Sequence, residues 1–449
     1  MRNLRRALWG TLVVLVVAWL AAEPTVFRPG GFFALRGAMV QLTGVVAIGC
    51  MGLCMVLALR PLWPQAWLGG LDKMYRLHKW LGIAALVAGI LHWLWATGPK
   101  WAVGWGWLTR PARGPRAVPG GPVAAWLSDQ RGLAESIGEW TFYAVVVLIA
   151  LALIQRFPYR LFHKTHRLLA ITWLLLAFHT VVLMRSGYWL SPVGWLVAAL
   201  LAAGTWAALV VLARRVGARR KVPGQVDAMH WFDDVHSLEA EVRVRDWPGH
   251  KPGQYAFVTV DASEGAHPYT ITSSWNPARP VISFGIRELG DHTRGLRDRL
   301  GIGQAVKVEG PYGCFTFDNG PARQIWIGGG VGVTPFVARM KHLAREQSGH
   351  GAPADRQIDL FHTTTDSDQE VFERLNADAR QAGVRLHILV DARDGLLTGE
   401  RLRATVPDWR DAGIWFCGPA GFGEALKRDL AAHGFPVEKQ FHQELFAMR

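Results

Sequence analysis

The sequence predicts a bundle of six membrane-spanning helices, followed by a small antiparallel β-barrel and then by a parallel α/β domain. Three observations carry this prediction. Six apolar stretches of spanning length lie in residues 1–213. After Lys221 the pattern changes to short alternating strands separated by Gly and Pro turns. From about Arg323 onward, strands alternate with helices, as in a parallel α/β domain. The expected boundaries are residues 1–213, 222–320 and 321–449.

Composition divides the chain in the same way. Half of the 449 residues are hydrophobic, yet 19% are charged, so the chain is neither all membrane nor all soluble. Residues 1–213 carry 19 Lys or Arg against 5 Asp or Glu, whereas the remainder carries 30 of each. The excess basicity therefore belongs to the membrane half. There it sits largely in loops between apolar segments, where basic residues orient helices, and it gives no argument for nucleic acid. Sixteen of the 22 tryptophans are also in this half. Many flank the apolar segments, as Trp93, Trp95, Trp101, Trp105 and Trp107 do, in the manner of an interfacial aromatic belt.

The six expected spans run approximately over 7–22, 39–59, 79–97, 138–154, 167–184 and 192–213. The first is short and follows Arg2, Arg5 and Arg6, so a signal peptide competes with it. Ala21-Ala22-Glu23-Pro24 is a poor cleavage site, and the segment is read as a helix. Basic residues cluster at the N-terminus, in loop 60–78, in loop 155–166 and after the sixth span at Arg214, Arg215, Arg219, Arg220 and Lys221. In a six-helix topology all four clusters fall on one side, read as cytoplasmic. Loop 98–137 opposes this with Lys100, Arg110, Arg113, Arg116 and Arg131. It is long, and long loops count less in this rule. Cys50 and Cys54 share one helix face and are read as packing residues.

Four histidines dominate the membrane half. His78 and His92 lie fourteen residues apart in one segment, and His166 and His179 thirteen apart in another. Either spacing separates two imidazoles by about 20 Å along a helix, most of the hydrocarbon depth of a bilayer. One histidine from each segment at each level makes two stacked bis-histidine sites, the arrangement for two b-type haems that carry electrons across a membrane. His92 falls within about 40° of the face of His78. His166 and His179 fall about 140° apart on an ideal helix, so their segment needs a local irregularity or its histidines reach from different sides. His163 competes with His166, which is preferred because it starts the apolar run.

In the second half, expected strands at Leu238–Asp246, Gln254–Asp261, Val281–Glu288 and Ala305–Glu309 form the barrel. His267-Pro268-Tyr269-Thr270-Ile271-Thr272-Ser273 combines a ring for stacking, hydroxyls for flavin ring atoms and a histidine near a pyrophosphate. Gly310-Pro311-Tyr312-Gly313 closes the barrel with a tight turn. Gly328-Gly329-Gly330-Val331-Gly332-Val333-Thr334-Pro335-Phe336 follows the strand Gln324–Ile327 and opens a helix. Such a turn lets the backbone approach a phosphate at a helix N-terminus. Phe416-Cys417-Gly418-Pro419 follows another apolar strand.

These motifs, in this order after the paired histidines, resemble the ferric reductase and NADPH oxidase superfamily. The membrane half looks like its six-helix ferric-reductase-like domain, and the second half looks like a ferredoxin–NADP reductase module. The resemblance implies haem ligands at His78, His92, His166 and His179. It implies FAD contacts at His267, Pro268, Tyr269, Thr270, Thr272, Thr293, Gly310 and Tyr312. Tyr269 would pack on the flavin ring, Thr270 would lie near its reactive nitrogen, and Phe446 would shield it. NADPH or NADH contacts are implied at Gly328, Gly329, Gly330, Gly332, Thr334, Pro335, Cys417, Gly418 and Pro419, with the Cys417 thiol near the nicotinamide.

His267 stands where soluble relatives often carry Arg. After strand Gln357–His362, NADPH-specific relatives often carry Arg, whereas this chain has Thr363-Thr364-Thr365-Asp366; Arg393 remains a candidate for a 2′-phosphate, so either nucleotide fits. Asp366-Ser367-Asp368 is too short for a calcium loop and reads as a helix start. No Cys-x4-Cys-x2-Cys segment for a plant-type iron–sulfur cluster occurs.

The expected function is that of an inner- or plasma-membrane oxidoreductase with a cytoplasmic dehydrogenase. It would move electrons from NAD(P)H through FAD and two b-type haems to oxygen, a ferric chelate or a periplasmic redox partner. Two alternatives stand beside it: a haem-binding membrane scaffold or sensor with a degenerate dehydrogenase, and a membrane-tethered flavin reductase without haem.

Overall fold

The structure, a computed structural model, describes residues 2–109, 121–154, 156–261, 265–288, 290–318, 320–350 and 356–444. The chain divides into two compact units. The first comprises Met1–Leu68 and Lys73–Val216, and the second comprises Gly69–Asp72 and Gly217–Met448.

Among the described residues, six helices of the first unit are long and apolar enough to cross a membrane: Arg2–Ala22, Phe32–Ala58, Leu71–Gly104, Arg131–Leu153, Leu161–Leu183 and Pro192–Leu212. The third begins well before the expected residue 79. Leu71, Met74, Leu77 and Leu81 form a buried stripe at helical spacing, while Asp72, Lys73 and Arg76 between them make the segment read as a loop. His78 consequently sits inside the helix rather than at its edge.

The second span packs on the sixth, and the fourth on the fifth. Trp173 of the fifth span is fully buried and donates its Nε1–H to Thr205 Oγ1 at 3.3 Å. Its ring occupies the space that a side chain on Gly204 would need. With little hydrophobic drive between helices in lipid, such close approach at small residues supplies the packing.

The fifth span contains an irregularity of the kind its histidine spacing requires. The helix Tyr159–His166 ends at His166 and Leu169–Leu183 resumes three residues later. Across the break, Leu168, Ala170 and Ile171 donate to the carbonyls of Thr165, Arg167 and Leu168, three residues back. Such turns advance about 120° per residue rather than 100°, which rotates His179 toward the face of His166.

The second unit holds two sheets. The first comprises β1 (Lys221–Phe232), β2 (Ser237–Val244), β3 (Tyr255–Thr259), β4 (His267–Thr270), β5 (Val281–Arg287) and β6 (Ala305–Tyr312). It is antiparallel throughout, in the order β4-β3-β6-β1-β2-β5. Its core gathers Val226, Val242, Ile271, Phe284 and Val308, all nearly inaccessible. The expected closed barrel is met only in part. Among the described residues the edges meet through the single bridge Ile271–Phe284, and no continuous ladder joins β4 to β5. β4 has only four residues, too few to pair along β5. β1 was hidden in the sequence by Pro223 and Gly224 near its start and by a bulge between Val226 and Ala228.

The second sheet comprises β7 (Arg323–Gly329), β8 (Gln357–Thr364), β9 (Arg385–Val390), β10 (Gly413–Cys417) and β11 (Phe441–Glu444). Every pairing is parallel, in the order β11-β10-β7-β8-β9. Strand order reverses between β10 and β7, and ligands of such sheets bind at that switch point beyond the carboxyl ends of the strands. Asp368 caps the helix Gln369–Ala382 by accepting from Val371 N–H at 3.0 Å, as expected of the Asp366-Ser367-Asp368 segment.

Candidate functional site

Two histidine pairs form inside the first unit. The ring centroids of His78 and His166 lie 5.9 Å apart, and those of His92 and His179 lie 6.1 Å apart. An imidazole–metal bond is about 2 Å long and a ring nitrogen lies about 1.1 Å from its centroid. Two imidazoles on opposite sides of one iron therefore have centroids about 6 Å apart, and both pairs fit that requirement.

Three of the four rings are tethered in the same way. His78 Nδ1 lies 3.1 Å from the Cys54 carbonyl oxygen, His92 Nδ1 lies 2.9 Å from that of Val40, and His179 Nδ1 lies 2.8 Å from that of Ala134. An Nδ1–H donated to a carbonyl leaves Nε2 with its lone pair, the form in which imidazole binds metal. His166 is held by its stack on Phe162, with centroids 5.1 Å apart and planes at 23°. Gly44 lets the His92 ring lie within 3.2 Å of where a Cβ would stand, and a Cβ on Gly138 would overlap the His179 ring. The residues thus suit two bis-histidine haems, one for each pair.

In the second unit, β3 lies between β4 and β6, so Tyr255 pairs with Thr270 on one side and with Tyr312 on the other. Pro268 pairs with Phe257, and Tyr269 packs against Phe284 with centroids 6.4 Å apart. Thr270 and Thr272 are buried. The Thr272 hydroxyl has no hydrogen-bond partner among the described residues, as a group awaiting a polar ligand would. His267 stacks face to face on His292, with centroids 3.4 Å apart and planes at 6°. Thr293 follows, its Oγ1 accepting from Gly290 N–H at 3.1 Å. Gly310 lies against Ala256, where a Cβ would come within 3.4 Å of backbone. Phe446 lies outside the described residues.

The nucleotide motifs meet at the switch point. Cys417 is in register with Gly328. Gly330 adopts φ +55°, and a Cβ on Gly332 would overlap the Cys417 carbonyl oxygen. A Cβ on Gly329 would lie 2.9 Å from Pro419, and one on Gly418 would lie 3.1 Å from Gly329 N. Only glycine lets these two turns face each other so closely. Thr334 donates to Val331 O at 2.9 Å and, with Pro335 next to it, opens the helix Thr334–His350. A Cβ on Gly285 of β5 would lie 2.9 Å from Thr334 and 3.3 Å from Thr272, so the flavin and nucleotide motifs adjoin.

Three residues of this region escape the sequence reading. Glu444 is buried and in register with Cys417, and its carboxylate lies 3.3 Å from where a Cβ on Gly313 would stand. Burial, and then the charge of Glu444, holds the Cys417 thiol well above the ordinary range, so it is a neutral thiol and not a thiolate. His362 is buried on β8 in register with Gly328, and burial lowers it to about 4. Arg287 ends β5 beside Gly330. Only strand pairing brings these residues to the site, and no local motif surrounds them.

Residues 43–177 match the family of the ferric reductase like transmembrane component, and residues 233–316 match an FAD-binding domain family. Among curated proteins, the chain is similar to the glycine betaine monooxygenase reductase subunit of Chromohalobacter salexigens. Identity is 29% over 218 residues, covering 44% of this chain and 56% of that protein. It is also similar to a flavohemoprotein of Burkholderia sp., 29% identical over 209 residues, with 43% of this chain and 51% of that protein covered. The chain thus spans about half the length of the curated relatives it matches. A solved ferredoxin reductase in carbazole 1,9a-dioxygenase aligns with a TM-score of 0.42 and 21% identity, over 50% of this chain and 69% of that one. The chain joins a membrane-embedded ferric-reductase-like domain to an FAD-binding domain. Residues 43–177 are thus ferric-reductase-like and residues 233–316 FAD-binding, the pair of domains that the resemblance to the ferric reductase and NADPH oxidase superfamily implies.

Proposed function

We propose that this protein carries electrons across a membrane, from cytoplasmic NAD(P)H through FAD and two b-type haems to an acceptor on the outer side. The haem domain is residues 1–213, the FAD domain 222–320 and the nucleotide domain 321–449. The observation that carries the reading is the pairing of His78 with His166 and of His92 with His179 on the same two spans, each pair at iron-bridging separation. Two levels about 20 Å apart make a path across the bilayer, whereas a tethered flavin reductase has no use for them.

When bound, FAD and haem would supply the redox chemistry, hydride acceptance from the nicotinamide and one-electron transfer. The chain's residues hold and tune them. The carbonyls of Cys54, Val40 and Ala134 orient three imidazoles and raise their basicity. Tyr269, Thr270 and Thr272 line the flavin site, and Gly328 to Thr334 receive the nucleotide phosphates. The neutral Cys417 thiol and the Glu444 carboxylate border the nicotinamide end. The acceptor is oxygen, giving superoxide, or a ferric chelate.

The test is the haem difference spectrum of the purified chain supplied with haem and FAD. Two six-coordinate b-type haems per chain, reduced by NADH or NADPH, are expected. A flavin-loaded chain without haem would overturn the reading. Parallel superoxide and ferric-chelate assays identify the acceptor.

A further inference from the structure

Glu239 of β2 carries a carboxylate to the seam between the flavin sheet and the nucleotide domain. Its neighbours Leu238 and Ala240 are buried in the core of the flavin sheet, so strand alternation turns Glu239 to the opposite face. There it grips two helices of the nucleotide domain. Arg374 Nη1, on the helix Gln369–Ala382, donates to Glu239 Oε2 at 3.1 Å. Lys341 Nζ, on the helix Thr334–His350, lies 3.6 Å from Glu239 Oε1. Arg374 is held from two further sides: its Nη2 donates to Glu370 Oε1 at 2.7 Å, and its guanidinium lies over the Phe232 ring, 4.9 Å from the centroid. The Glu239 side chain is three-quarters buried, with 25% exposed.

We propose that Glu239 is a positioning residue for hydride transfer: through Lys341 and Arg374 it holds the glycine turn of the nucleotide domain against the flavin sheet, and so sets how closely a nicotinamide approaches the flavin. The inference rests on the nucleotide-oxidising reading above. Glu239 is paired with Gly285 of β5, and residues opposite each other in an antiparallel pair share a face. Gly285 is where the two motifs meet: a Cβ there would lie 2.9 Å from Thr334 Cγ2 and 3.3 Å from Thr272 Cγ2. One rung of the sheet thus carries both the close approach and the grip. Thr334 opens the helix that carries Lys341, and the two lie seven residues apart, about two turns along one face. A pull on Lys341 is therefore passed along a rigid element to the turn. Arg374 braces the neighbouring helix, which packs on the first. Hydride donor and acceptor must come within about 3–3.5 Å, and a misplacement of about 1 Å costs up to about a hundredfold in rate. Ion pairs this exposed shift an equilibrium by about fivefold at most, so Glu239 biases the approach rather than locking it.

The test uses the full-length, FAD-loaded protein in detergent. Anaerobic flavin bleaching is followed against the concentration of whichever nucleotide, NADH or NADPH, reduces the native chain faster. E239Q should lower the limiting rate about threefold to tenfold with the apparent Kd within about twofold, because the carboxylate holds the seam and not the nucleotide. R374Q should lower it less, and E239Q/R374Q should be no slower than E239Q, since the shared contact is removed only once. Raising NaCl from about 0.05 M to about 0.5 M should slow the native chain about twofold and leave E239Q unchanged, a response that a merely structural role would not give. A native-like limiting rate in E239Q, or losses that add in the double variant, overturns the inference and leaves the proposed function standing. A native chain whose bound FAD neither nucleotide bleaches overturns both. If E239Q fails to retain FAD, R374Q decides: slower, less salt-sensitive bleaching supports the inference and native kinetics overturn it.

Discussion

His179 Nδ1 lies 2.8 Å from the carbonyl oxygen of Ala134 on the neighbouring span. Ala134 is one helical turn before Gly138, where a Cβ would overlap the His179 ring. One span therefore supplies both the acceptor that orients this imidazole and the gap that admits it. Val40 and Gly44 of the second span stand in the same relation to His92. The His92–His179 pair is thus oriented from the backbone of two flanking helices, and it can be disturbed without removing a histidine.

Replacing His92 or His179 by Ala should remove one of the two haems and stop acceptor reduction, while nucleotide-to-flavin transfer survives. Gly138→Val should do the same with all four histidines present, because it displaces the His179 ring and breaks its tether. Loss of such an outer contact weakens metal binding roughly tenfold to a hundredfold. The haem-to-protein ratio checks each variant, and retention of both haems in Gly138→Val would show that the tether is dispensable.

His163 and His166 are separable by the same measurement. Only His166 has its ring 5.9 Å from that of His78. His166→Ala should lose the haem placed between it and His78, and His163→Ala should keep both. The reverse outcome moves the ligand by three residues.

Thr272→Val tests the flavin site. The Thr272 hydroxyl is buried without a partner among the described residues, so its removal should leave the FAD-free protein as stable or slightly more stable. FAD affinity should nevertheless fall about threefold to tenfold, the worth of one hydrogen bond. Flavin fluorescence titration measures the affinity, and a melting curve without FAD measures the stability. Unchanged FAD affinity would remove Thr272 from the site.

Gly332→Ala should abolish flavin reduction by NAD(P)H while FAD is retained, because the new methyl group would overlap the Cys417 carbonyl oxygen. The two facing turns must then separate. Native-like nucleotide oxidation in this variant would mean that the turn is not part of the nucleotide site.

The flavin sheet should lose stability in acid through His250. Its Nε2 lies 3.0 Å from the Ser273 carbonyl oxygen, and its Nδ1 accepts from Trp247 Nε1–H at 3.3 Å. The contact from Trp247 needs the neutral ring, and burial lowers its pKa from the usual 6.5 to about 4. The stabilisation is complete above about 6.5 and is lost as pH falls toward about 4, because the unfolded chain takes up the proton more readily. The temperature of FAD release should fall across that window. In His250→Phe it should be lower at neutral pH, since the Ser273 carbonyl loses its donor, and it should depend less on pH. An equally steep acid profile in that variant would assign the effect elsewhere.

Much of this protein is determined by its sequence alone. Residues 1–213 concentrate apolar runs, net positive charge and sixteen tryptophans, and in a bilayer such runs have few solutions other than spanning helices. Histidine spacing carries the two levels, because helical rise is constant and buried polar groups in lipid are costly. The glycine turns are legible because their function depends on a missing side chain. Tertiary structure decided the rest. The break after His166 resolves an angular conflict that helix periodicity could state but not settle. Carbonyl tethers from Cys54, Val40 and Ala134 leave no trace in sequence, since any residue supplies a carbonyl. Glu444, His362 and Arg287 reach the site through parallel strand register and the approach of two sheets. Residues 27 to 79 positions apart become neighbours there, and their separation along the chain carries no information about that contact.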